Sequence, residues 1–115
     1  SDMPFDRFAR AQVAGDLLEG STEPDKVATA FLRLSMLNEE GGVDPEEARV
    51  AAVVDRVETV AAAFLGATVG CARCHDHKFD PVSQREFFGM YAYFNNSAEE
   101  TKQVGDGETH IIAPS

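Results

Sequence analysis

The sequence predicts a small all-α bundle of about four helices, on three observations. Apolar residues recur at three- and four-residue spacing, the intervening segments carry Gly, Asn-Asn or Asp-Pro turn signals, and no stretch alternates as a half-buried strand would. The chain has 115 residues, 43% of them hydrophobic, with eight phenylalanines, enough for one modest core.

The first helix is expected from about Pro4 to Leu18, with Phe5, Phe8, Val13 and Leu17 on one face and Gly20 as its stop. Thr22 and Pro24 mark a second start, and Val27, Phe31 and Leu34 form its apolar stripe as far as Met36 before Gly41-Gly42. Asp44-Pro45-Glu46-Glu47 is the clearest helix start: a capping carboxylate, a first-turn proline and two acids that suit the positive end of a helix dipole. From it Val50, Val53, Val54, Val57, Val60, Ala61, Phe64 and Leu65 predict one long buried face ending at Gly66. Ser83-Gln84-Arg85-Glu86 has capping-box spacing and opens a last helix carrying Phe87, Phe88, Tyr91 and Phe94, which Asn95-Asn96 ends. Residues 1–97 thus read as one helical domain and residues 98–115 as a polar tail or linker whose sole apolar pair is Ile111-Ile112.

A net charge of -10 and a pI near 4.6 exclude a nucleic-acid partner, since a phosphate backbone needs a basic face. No membrane span is expected, because the longest apolar stretch, Val60 to Ala72, is bounded by Glu58 and Arg73 and is too short. No charged segment followed by an apolar run reads as a secretory signal, and the opening Ser1-Asp2-Met3-Pro4-Phe5 reads as the start of an excised domain.

Between the long third helix and the last one lies Cys71-Ala72-Arg73-Cys74-His75, which uses both cysteines of the chain. Cys-x-x-Cys-His is the attachment sequence for a c-type haem: two nearby thiols add to the vinyl groups of one porphyrin edge and the adjoining imidazole ligates iron. Cys71 and Cys74 are therefore candidate thioether residues and His75 the candidate proximal ligand. The alternative is a zinc or other thiolate site drawing on Cys71, Cys74, His75 or His77, and Asp80. A thiol-disulfide role is a third reading, but the strand that normally precedes such a motif is absent.

For a sixth iron ligand the candidates are Met36, Met90, His77, Met3 and His110, with Met36 preferred because it ends a helix beside a glycine turn. His77 follows His75 too closely to reach the opposite porphyrin face easily, and a propionate contact suits it better. Met90 also reads as flexible core filler. Phe79, Phe87, Phe88, Tyr91 and Phe94 serve equally well as porphyrin walls or as plain core. Gly66 and Gly70 either let a flat macrocycle approach or terminate a helix. Arg73 and Lys78 read as solvated charges or propionate partners. The acidic run from Asn38 to Asp44 has oxygen ligands for calcium, although capping already accounts for Asp44.

The motifs Met36-Leu37-Asn38-Glu39-Glu40-Gly41-Gly42, Val54-Asp55-Arg56-Val57, Gly70 through Pro81 and Phe94-Asn95-Asn96 occur in one order. With Met3-Pro4-Phe5-Asp6-Arg7-Phe8 and Ala14-Gly15-Asp16-Leu17-Leu18, they resemble a domain of unknown function found in large planctomycete-type multidomain cytochrome c proteins. The resemblance covers about residues 2 to 97 and matches the C-terminal portion of that domain. It implies haem-linked redox chemistry in a periplasmic or otherwise extracytoplasmic protein, beside a separate cytochrome module, with Cys71, Cys74 and His75 as haem contacts. Met36 and His77 fall within the same family motifs.

The expectation is covalent haem c binding and single-electron transfer as a module of a larger exported protein, with a redox protein or neighbouring cytochrome module as partner. A zinc-binding structural module is the competitor, and a haem-assisted oxidoreductase module is the third class.

Overall fold

Four α-helices, Phe5–Ala14 (α1), Glu23–Ala28 (α2), Pro45–Val60 (α3) and Gln84–Asn95 (α4), organise the computed structural model, which describes residues 2–35 and 42–96. Short 3-10 segments and one π turn extend or join them, and no strand occurs among the described residues. The expected all-α class is thus observed. Internal contacts divide the chain into two compact units, Ser1–Ala48 and Arg49–Ser115. Met36, Gly41 and the expected tail at 98–115 lie outside the described residues.

In the first unit, α1 packs against α2 and the 3-10 segment Thr29–Arg33 that follows it. The join is polar. Asp25, only 5% exposed, accepts from the Thr22 backbone N–H at 3.0 Å and the Thr22 hydroxyl at 2.7 Å, and its other oxygen pairs with the Arg7 guanidinium. Gly15 makes a close approach possible, since a Cβ there would stand 2.0 Å from the Asp25 carbonyl oxygen.

This pairing revises two expectations. The first helix stops at Ala14, whose φ of -151° leaves the helical region, and continues only as the 3-10 turn Gly15–Leu17. Within α1 it is Ala11 that is buried while Phe5 and Phe8 are exposed, and beyond the break Leu17 is exposed as well. In α2 and at its cap the inward residues are Asp25 and Thr29, four apart, which leaves Val27 on the opposite side and exposed. The change to a 3-10 winding at Thr29 then rotates Leu34 outward to 82% exposure, and the segment ends at Arg33, short of Met36.

The start of α3 is as expected: Asp44 Oδ1 accepts from the Glu46 and Glu47 amides at 2.9 and 3.0 Å. In the second unit Val53, Val54, Val57, Val60 and Ala61 are buried along the predicted face. Leu65 is an exception. Residues Ala61–Leu65 form a π turn, wider than an α turn, which carries Leu65 out of the stripe and into solvent. Gly66 then closes the helix in the left-handed region at φ 63°, where its missing Cβ avoids strain. Val69, Ala72, Phe87 and Phe94 complete this core, and α4 lies against the 3-10 segment Gly70–Arg73.

Two outcomes follow. Phe87 is fully buried, so Phe87→Ala should cost about 3–5 kcal/mol in chemical denaturation, whereas Phe79→Ala, at an 83% exposed site, should stay within about 0.5 kcal/mol. The Thr22 backbone N–H, then its hydroxyl and the Arg7 guanidinium, hold the Asp25 carboxyl below the usual carboxylate range. A pKa lowered by folding stabilises the protein above the unfolded value and loses that contribution as pH falls through the folded one. Asp25→Asn should therefore lower stability at neutral pH and flatten the acid limb of a denaturation series measured against pH.

Candidate functional site

The Cys-x-x-Cys-His segment is wound as the 3-10 turn Gly70–Arg73 and its exit. The Cys71 carbonyl accepts from the amides of Cys74 at 3.2 Å and His75 at 3.4 Å. Cys71 lies in the 3-10 winding and Cys74 caps its end. Both are free thiols and both are exposed. Ala72, between them, is fully buried with Val69 nearby in sequence, and these small apolar side chains anchor the turn while the thiols face solvent.

Beyond the turn the two histidines are held in opposite ways. His75 Nδ1 lies 2.8 Å from the Asp76 carbonyl oxygen, which can only accept, so in the neutral ring Nδ1 carries the proton and Nε2 the lone pair. His77 Nδ1 instead faces two donors, the amides of Asp80 at 2.8 Å and Phe79 at 3.3 Å. His75 is exposed, whereas the His77 side chain is 9% exposed.

Two residues the sequence reading did not single out moor this segment to α4. Asp76 Oδ1 accepts the Gln84 backbone N–H at 2.8 Å, and the Gln84 side-chain amide donates to the Arg73 carbonyl at 3.1 Å. The expected capping box sits beside them: Ser83 Oγ accepts the Glu86 amide at 3.2 Å, and Glu86 Oε2 accepts the Ser83 amide at 2.7 Å. Those two Ser83 donors, the backbone N–H first and then the hydroxyl, hold the Glu86 carboxyl below its usual range. Capping chemistry at Ser83 was the signal available in the sequence; the eight-residue reach from Asp76 to Gln84 has no periodic signature.

Other candidates divide. Phe87 and Phe94 are core, Tyr91 is half-buried, and Phe79 and Phe88 are exposed. Lys78 places its Nζ 5.2 Å from the Phe79 ring centroid, a cation–π contact, and Arg73 is exposed. Gly66 has the conformation of a helix stop. Gly70 makes room for Glu58, whose Oε1 would be 2.9 Å from a Cβ there. Met90 is half-buried and Met3 exposed, while Met36, His110 and most of the acidic run from Asn38 lie outside the described residues.

The described residues form an all-helical domain in which two free, exposed cysteines and an exposed histidine follow one another at the turn before α4. The chain belongs to the PSCyt2 family, described as a protein of unknown function (DUF1549), whose model matches residues 1–99. No curated protein and no solved structure matches it. No helix among the described residues is long and apolar enough to cross a membrane.

Because both thiols are exposed, iodoacetamide applied to the folded, unmatured chain should add two adducts as readily as it does in denaturant, read by intact mass. A protected thiol in the folded state would contradict this placement.

Proposed function

We propose that this domain holds one haem c covalently and passes single electrons as a module of a larger exported protein. The observation that carries the reading is the run Cys71, Cys74 and His75: two free, exposed thiols at one 3-10 turn and its exit, next to an imidazole that in its neutral form, with Nδ1–H on the Asp76 carbonyl, leaves Nε2 for iron. Each thiol would add across one vinyl group, forming a C–S and a C–H bond from the S–H and the double bond, with no leaving group and no oxidant. His75 would bind iron through Nε2. The Asp76 carbonyl, accepting from Nδ1–H, fixes the ring and raises its basicity as a ligand. When bound, the haem supplies a one-electron iron couple.

The surroundings suit that role. A net charge of -10 favours a cationic redox partner or a basic face on a neighbouring cytochrome module. The family resemblance adds the exported, multidomain setting. A zinc site on the same cluster needs three or four donors around one point, and no group of three or more His, Cys, Asp or Glu side chains placed to hold a metal occurs among the described residues.

Export-competent expression with a cytochrome maturation system should give red protein that keeps its colour through acid–acetone extraction. The double variant Cys71→Ala/Cys74→Ala should lose all covalently held colour, and His75→Ala should alter the iron spectrum of whatever haem remains attached. Colourless wild-type protein containing stoichiometric zinc would overturn the proposal in favour of the structural module.

A further inference from the structure

His77 sits at the root of the segment that follows the Cys-His edge. Its backbone N–H donates to the Val82 carbonyl at 2.8 Å, and its ring nitrogen Nδ1 accepts from Asp80 N–H at 2.8 Å and Phe79 N–H at 3.3 Å. His77 therefore fastens the tip of residues 77–82 through its imidazole and the exit through its backbone amide. The segment begins at Asp76, whose carbonyl takes the His75 Nδ1–H and whose carboxylate takes the first amide of α4 at Gln84.

We propose that His77 is a positioning residue of the haem site: it locks the loop that holds Asp76, and through the Asp76 carbonyl the His75 ring, and does not ligate iron itself. The tautomer part of this inference stands on hydrogen bonds alone. Its consequence for the iron rests on the haem reading given under Proposed function.

The argument turns on one proton. A neutral imidazole has a single N–H, and an amide can only donate, so two amides facing His77 Nδ1 require the lone pair there and the proton on Nε2. Ligation through Nε2 would demand loss of that proton as well, leaving an imidazolate. The competing arrangement, Nδ1–H donating to Asp80 Oδ2 at 3.3 Å, would aim two amides at a donor and forfeit the shorter contact at 2.8 Å. His75 has the reverse tautomer, with Nε2 free. The two histidines of His75-Asp76-His77 are thus differentiated by their backbone partners: one is ligand-ready and one is structural.

Asn and Gln separate the roles. The Asn carboxamide oxygen lies the same number of bonds from Cα as His Nδ1, whereas that of Gln lies one bond further, matching Nε2. Long-range proton–nitrogen NMR on the neutral rings of the full unmatured chain, at about pH 8.5, should show Nε2–H at His77 and Nδ1–H at His75. The Nδ1–H form at His77, or the same form at both, overturns the lock. In matured protein, His77→Asn should keep the wild-type iron spectrum and midpoint potential. His77→Gln should keep its haem yet shift the potential and exchange the Asp80 amide about tenfold faster. Equal loss of the native iron spectrum in both variants would make His77 a ligand and overturn the proposal. Wild-type protein that takes up no covalent haem would sink the haem reading, with the NMR result still deciding the lock.

Discussion

The first turn of α4 is the constraint on which the candidate site depends. A helix begins with amides that have no partner inside it, and here those groups are satisfied from two directions. Ser83 and Glu86 close the turn on itself, while Gln84 reaches out to the Asp76 carboxylate with its backbone and to the Arg73 carbonyl with its side chain. The thiol-bearing turn and the imidazole beside it are thereby tied to one rigid element. Phe87, one turn into the same helix and fully buried, fixes that element in the core of its unit.

This arrangement explains how a site can be exposed and still ordered. Cys71, Cys74 and His75 face solvent, where a large flat cofactor and the machinery that attaches it would have access. Order comes from what lies beneath and beyond them: buried Val69 and Ala72 under the turn, and the His77-centred loop after it. The aromatic residues sort along the same line. Phe87 and Phe94 belong to the core, whereas Phe79 and Phe88 leave apolar surface exposed.

Locally encoded features were legible in the sequence, and features that depend on distant polar partners were not. The Asp44 and Ser83–Glu86 caps and the valine face of α3 could be read because each is written within a few neighbouring residues. The same holds for the Cys-His motif as a motif. The rotation of α2 could not be read, because the buried Asp25–Arg7 pair spans eighteen positions and overrides the apolar stripe of Val27 and Leu34. The last apolar residues of the first and third helices escape the pattern for a second reason: a 3-10 turn and a π turn change the residues per turn, so a stripe extrapolated at 3.6 drifts out of phase, as Leu17 and Leu65 show, although Gly66 does end the third helix. Asp76 and His77 escaped notice as anchors because their partners are backbone amides, which no side-chain pattern reveals.

The most direct measurement is intact and fragment mass spectrometry of protein matured in an exported, haem-loading host. The account predicts a gain equal to a single tetrapyrrole, retained after denaturation and carried by the peptide that contains Cys71 and Cys74. An unmodified polypeptide with both thiols still free to react would contradict it.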